Sequence, residues 1–311
     1  MTCSRRFVLT AAALGAVIGA TGVKAQGLER RPLNQDGLVG EFHFDPAVRS
    51  GTAVILLSGS DGGLPSARDA RDLASAGFPT LSLAYFKDWN GQPEGVPAGL
   101  SEIPLEYFFR AIDWLKSQAQ VDPRRIVLAG LSRGAELALL LASLRPDIAG
   151  VAAFSPSSVV WRGVPQGAEA ASRPAWTLGG QGVPYQIDIP DPTAPIRRGF
   201  ENAVANPAAR IAVEKITGPV LLVSSPADRI WPSDVYANEI AARLATRSPS
   251  APIENLRLED ASHLLMGTGP GVTRFEVPGS SFTVEFGGTP EGTLNGRARA
   301  WRALKALLSS L

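Results

Sequence analysis

Residues 126–142 contain the stretch that most limits how this chain can fold. Ile126-Val127-Leu128-Ala129 is an unbroken apolar run, too short for a helix and typical of a strand buried on both faces of a parallel sheet. It leads into Gly130-Leu131-Ser132-Arg133-Gly134, and an Ala- and Leu-rich run of high helix propensity follows. Strand, G-x-S-x-G and helix in succession are the setting of a nucleophile elbow, in which a serine sits on a sharp turn with its hydroxyl exposed. The flanking glycines let the strand and helix backbones approach closely. Ser132 is therefore the candidate nucleophile.

The rest of the chain supplies a frame for that turn. Residues 52–57 and 78–85 read as buried strands, with a helix at 66–76 capped by Ser66 between them. Residues 104–118 read as a helix with an apolar stripe, and 148–154 as the strand after the nucleophile helix. Strand 220–224, helix 233–247 and strand 253–258 continue the alternation. A hairpin-like pair at 274–277 and 282–286 precedes a last helix at 297–308. On the N-terminal side, 26–38 reads as a polar, extended lead-in and 40–44 as an edge strand. Strands alternating with helices predict an α/β domain, a mostly parallel sheet with helices on both faces, over residues 26–311. Residues 155–215 break the rhythm: rich in Pro, Gly and Ala, they hold Trp161, Trp176, Tyr185 and Phe200, and read as an insertion capping the site.

The first 25 residues read as a targeting segment. Ser4-Arg5-Arg6-Phe7-Val8-Leu9 is a twin-arginine pattern, an apolar run of about a dozen residues follows, and Val23-Lys24-Ala25 offers small residues for a signal peptidase. That run falls short of the ~20 residues a membrane span needs, so a cleaved Tat-type signal is expected rather than a retained anchor. Bacterial export, to the periplasm or beyond, follows as an expectation. The one cysteine, Cys3, lies inside the signal, so the remainder offers neither disulfides nor a thiolate nucleophile or metal ligand. With a formal net charge of +1 over 311 residues, nothing points to nucleic acid.

A serine hydroxyl needs a base, and the chain has two histidines. In this kind of fold the order along the chain is nucleophile, acid, histidine. His263 fits, in a loop after a strand near the C-terminal end; His43 comes before the elbow and reads as structural. Asp228, after the strand at 220–224, is the acid expected to orient His263, ahead of Asp234 in the following helix and Asp260 beside the histidine. The oxyanion built by carbonyl attack needs N–H donors already in place. The Arg133 backbone is one candidate, and Ser60 or Asp61, in the small-residue loop after residue 57, supplies the other. Trp161 and Trp231 are candidates for contact with an acyl group, or for simple packing. No cofactor or metal site is indicated.

These residues carry a resemblance. Leu57-Ser58-Gly59-Ser60-Asp61-Gly62-Gly63-Leu64, Gly130-Leu131-Ser132-Arg133-Gly134-Ala135-Glu136, Val213-Glu214-Lys215-Ile216-Thr217-Gly218-Pro219, Asp228-Arg229-Ile230-Trp231-Pro232-Ser233 and Ser262-His263-Leu264 keep the order and spacing of one family. The chain resembles the C-terminal domain of acyl-CoA thioesterases and bile-acid-CoA:amino-acid N-acyltransferases, with dienelactone hydrolases as a neighbouring comparison. The resemblance implies an α/β-hydrolase with Ser132, Asp228 and His263 as its triad. Two features depart from the family: the residues between the signal and residue 52 are too few for its N-terminal β-sandwich, and an exported enzyme meets little coenzyme A. The expectation is a small-molecule ester or acyl thioester as substrate, cleaved through an acyl-serine, with acyl transfer to an amine or alcohol, or a non-catalytic binding protein of the same fold, as alternatives.

Overall fold

The computed structural model describes residues 27–164, 173–247, 251–276 and 283–311; the expected targeting segment lies outside them. β1 (Glu29–Gln35) and β2 (Leu38–Phe44) pair as an antiparallel hairpin. Asp36 and Gly37 turn it with φ of 54° and 74°, the two positive values a two-residue hairpin turn requires. The extended, polar lead-in expected at 26–38 thus forms a paired strand, and the signal for the pairing was the Asp-Gly dipeptide. There follow β3 (Gly51–Leu57), α1 (Ala67–Ser75), β4 (Thr80–Ala84), β5 (Ile103–Pro104) and α2 (Leu105–Lys116). Next come β6 (Val121–Leu131), α3 (Arg133–Leu144) and β7 (Gly150–Phe154). Residues 155–215 hold β8 (Trp176–Leu178), β9 (Gln181–Gly182) and α4 (Ile196–Glu201). The chain closes with β10 (Val220–Ser224), α5 (Ser233–Leu244), β11 (Ile253–Arg257), the short pair β12 (Arg274–Glu276) and β13 (Thr283–Glu285), and α6 (Pro290–Ser309).

Eight strands form one sheet in the order β1-β2-β4-β3-β6-β7-β10-β11. From β4 to β11 every pairing is parallel; β2 alone runs the other way, antiparallel to both β1 and β4. The period-two alternation of strands divides each central strand between two cores. Ala53, Ile55 and Leu57 face α2 and α3, while Val54 and Leu56 face α1 and α6. Ile126 and Leu128 alternate with Val127 and Ala129 in the same way. Burying such a side chain fully contributes roughly 1.5–3 kcal/mol relative to exposure, so apolar residues at every position hold a strand in the middle of the sheet.

Parallel strands deliver their carboxyl ends to a common edge, where ligand sites of open α/β sheets collect. The loops after β3, β6, β10 and β11 carry Ser58 to Gly63, Ser132, Asp228 and His263 respectively. Helix α6 begins seven residues before the expected start, where the Thr289 side chain accepts from the Gly292 N–H at 3.0 Å and Pro290 occupies the first turn. Gly292, Asn295 and Gly296 mask that start in a propensity reading. Packing of Thr293 and Gly296 against the segment 258–265 overrides it.

Candidate active site

The elbow is built by backbone constraints. Ser132 has φ 56° and ψ −117°, in the region that non-glycine residues avoid. Its N–H donates to Phe154 O at 2.9 Å, which fixes the turn to β7, and its carbonyl receives the N–H groups of Ala135 and Glu136. A Cβ on Gly130 would overlap the carbonyl of Gly134, and one on Gly134 would run into the carbonyls of Leu57 and Ser58. Both glycines are therefore demanded by close approach.

Asp228 and His263 meet as expected from their loops. The His263 Nδ1 lies 2.8 Å from Asp228 Oδ2, and both residues are buried. The second carboxylate oxygen of Asp228 accepts from the backbone of Ile230 at 2.8 Å and Trp231 at 3.3 Å, which locks its orientation. Buried hydroxyls hold the histidine loop: Ser155 Oγ donates to His263 O, and Ser225 Oγ to Ala261 O. Phe286, just after β13, joins the two loops, since its carbonyl accepts from Arg229 N at 3.3 Å and from His263 N at 3.0 Å. The rival carboxylates lie elsewhere: Asp234 pairs with Arg197 at 3.2 Å, and Asp260 caps the approach to α6 through its backbone. His43 is buried on β2 beside Glu41, and burial lowers its pKa.

Ser132 and His263 line one cavity of about 500 Å³, with Gly59, Ser60 and Asp61 beside the serine. With Nδ1 engaged by Asp228, Nε2 is the imidazole nitrogen left to take a proton from Ser132. The loop from Ser58 to Gly63 is pinned from behind, where the Tyr85 hydroxyl donates to Ser58 O at 2.5 Å and Gly63 N donates to Phe86 O at 2.9 Å. Arg133, at the first position of α3, has its N–H where an α-helix provides no internal acceptor. Asp61 lines the cavity and is exposed to solvent there; the protein packed around its carboxyl raises its pKa, an effect moderated by backbone hydrogen bonds from Asp61 and Gly59 and by His263.

The remaining wall is apolar and comes from segments far apart in the chain: Phe200 of α4, Ile230, Leu264, Phe275 of β12, Val284 of β13 and Phe286. Trp161 and Trp231, candidates for acyl contact, stand behind this wall instead. Trp161 is fully buried, donates Nε1 to Ser157 Oγ at 3.0 Å and stacks edge-on against Phe200. Trp231 is buried with Nε1 on Ser155 O, its ring edge-on to His263 with centroids 5.8 Å apart. Large indoles with a polar N–H are driven inward wherever a carbonyl or hydroxyl can accept from them.

Two site-supporting residues escaped the sequence reading. The Arg133 guanidinium donates to Trp161 O and Arg162 O at 2.9 Å each and lies 3.3 Å from Glu136, which in turn accepts from Trp176 Nε1 at 2.8 Å. Burial pushes the Glu136 carboxyl up to about 7. A lone acid on an otherwise apolar helix was the available signal for this buried network.

A family model for BAAT / acyl-CoA thioester hydrolase C terminal matches residues 103–310. Acyl-coenzyme A thioesterase 6 of mouse is 31% identical over 230 residues, covering 73% of this chain and 52% of the relative. The chain belongs to this acyl-CoA thioester hydrolase family. The peroxisomal succinyl-coenzyme A thioesterase of mouse is 27% identical over 231 residues, again 73% of this chain and 52% of the relative. This family member thus spans about half the length of the curated relatives it matches. Solved structures show the α/β-hydrolase fold. A dienelactone hydrolase-like promiscuous phosphotriesterase from metagenomic libraries superposes with a TM-score of 0.52 at 16% identity, covering 91% of this chain and 98% of that one. An esterase of Pyrobaculum calidifontis gives 0.53 at 14%, covering 92% and 86%.

Proposed function

We propose that this chain is an exported serine hydrolase that cleaves a carboxylic ester or acyl thioester through an acyl-Ser132 intermediate. The observation that carries the reading is the buried 2.8 Å contact between His263 Nδ1 and Asp228, with His263 and Ser132 facing the same cavity. His263 takes the Ser132 proton as the oxygen attacks the carbonyl carbon, and the N–H of Arg133 and of Ser60 or Asp61 receive the developing oxyanion. Collapse of the tetrahedral species expels the alcohol or thiol, which takes the proton back from His263. Water, deprotonated by His263, then attacks the acyl-serine; the acyl–oxygen bond to Ser132 breaks as that oxygen takes the proton back from His263, and the acid leaves. Asp228 holds the imidazole in the tautomer that this sequence needs and stabilises its protonated form. The apolar wall supports an acyl chain as the part of the substrate held in the cavity. Export rests on the twin-arginine stretch at Arg5 and Arg6.

Intact-mass measurement after treatment with a fluorophosphonate, beside Ser132→Ala, tests the chemistry. One adduct on the wild type, absent from the variant, is expected, followed by turnover of 4-nitrophenyl esters and acyl-CoAs. No adduct on folded protein would favour a binding protein of the same fold. Acyl-amide product on adding an amine would favour acyl transfer. Fractionation of cells producing the full chain and an Arg5→Lys, Arg6→Lys double variant tests export, with loss of the exported pool expected only in the variant.

A further inference from the structure

The cavity contains one ionisable side chain that the acyl-serine scheme leaves without a role. The Asp61 carboxyl lines it together with Ser132 and His263. A Cβ on Gly59 would stand 3.2 Å from Asp61 Oδ1 and 3.3 Å from the Ser132 Cβ, so carboxyl and nucleophile flank the same glycine. Among the described residues lining the cavity there is no lysine or arginine. Of the nearby cations, Arg133 is engaged with the carbonyls of Trp161 and Arg162 and with Glu136, Lys87 pairs with Glu94 at 2.7 Å, and Arg229 lines the adjoining cleft with Thr193 and Glu285. Apart from His263, Asp61 is the one ionisable side chain among the described residues lining the cavity.

We propose that Asp61 determines acyl specificity, admitting neutral chains and turning away acyl groups that end in a carboxylate. This rests on Ser132 being the nucleophile. A carbonyl carbon in attacking position lies about 3–3.5 Å from the serine oxygen, which sets the first carbons of the acyl chain close to Asp61. A carboxylate a few bonds further on would lose water inside an apolar wall, face a second carboxyl group and find no cation among the described residues lining the cavity. A neutral chain meets only Leu264, Phe275, Phe286 and their neighbours. The side chain of Asp61 thus has a part distinct from its backbone N–H, which any residue at this position except proline would supply.

The test compares 4-nitrophenyl hexanoate with the mono-4-nitrophenyl ester of adipic acid, equal in acyl length and different in one terminal carboxylate. The readout is the ratio of their kcat/KM values, in which a general effect of substitution on turnover cancels. Wild type is expected to favour hexanoate, and Asp61→Asn to narrow that preference at least about tenfold, which corresponds to about 1.4 kcal/mol. Asp61→Ser serves as a second variant, with thermal melting reporting that both are folded. Kd values for the same two esters in the Ser132→Ala background give a second reading that needs no turnover, and the same narrowing is expected there. An unchanged ratio and unchanged relative affinities in folded Asp61 variants would overturn the proposal. Full hydrolysis surviving in Ser132→Ala would overturn the nucleophile assignment instead, and the two failures are thereby distinguishable.

Discussion

The two sides of the cavity are made in different ways. On one side the elbow between β6 and α3 is specified by backbone: a positive φ at Ser132, two glycines with no room for a methyl group, and an N–H tied to β7. On the other side, α4 and the β12–β13 pair contribute Phe200, Phe275 and Val284, side chains that share little beyond being apolar. The first side tolerates almost no change of residue, because the conformation itself excludes alternatives. The second tolerates exchange of one apolar shape for another at modest cost. On the function proposed above, the rigid side would carry the attack, with Asp61 beside it, and the permissive side would shape the space left for the acyl chain.

If this division holds, substitutions should grade in the same order. Ser132→Ala, on the rigid side, is expected to lower kcat by on the order of 10⁴–10⁶ without changing the melting temperature much, as read by ester hydrolysis and thermal melting. Asp228→Asn should cost about 10⁴-fold in kcat through the wrong imidazole tautomer. A loss smaller than tenfold would mean that another group orients His263. Gly134→Ala should destabilise the fold by about 3 kcal/mol or more, since the new methyl group has no space to move into; a soluble variant melting at the wild-type temperature would break the comparison outright.

Glu136 sharpens the comparison by adding pH. Its folded pKa, raised from the ordinary 4.5 to about 7, means the folded state holds this proton more tightly than the unfolded state. Its contribution to stability is therefore most favourable below pH 4.5, falls as pH rises toward 7 and is level above. Melting temperatures between pH 5 and 7 should fall more steeply for wild type than for Glu136→Gln, and parallel curves would remove this buried acid from the account. The smallest effect is expected on the permissive side: Phe275→Ala, at a half-exposed position, should raise KM for a hexanoate ester by about tenfold or less with kcat nearly kept. A larger fall in kcat than in affinity would show that the hairpin also shapes the reacting geometry.

The same division explains what could be read in the amino-acid sequence. Ser132 was legible because a strand, two glycines and a helix leave one conformation for the residue between them. His263 and Asp228 were legible because two histidines and a fixed chain order leave few candidates. For Trp161 and Trp231 acyl contact and packing both stayed open, because composition reports that aromatics are present and not which way they face. Indole N–H acceptors decided their orientation: Ser157, four residues before Trp161, and Ser155, 76 residues before Trp231. The first strand went unread because its alternation is weak, while the Asp36-Gly37 turn that organises it is a two-residue signal. Arg133 was assigned a backbone role, and the reach of its guanidinium to Trp161 and Arg162 depends on a long-range fold that no local pattern encodes.

The Phe286 carbonyl, which accepts from both the acid loop and the histidine loop, has a consequence for how descendants of this chain could diverge. Its side chain lines the cavity, while its main chain holds the loops that carry Asp228 and His263. A lineage acquiring new substrates can therefore exchange the side chain at this position freely, whereas gaining or losing a residue between it and α6 would slide the carbonyl off both donors. Divergence at this edge should proceed by substitution and conserve length.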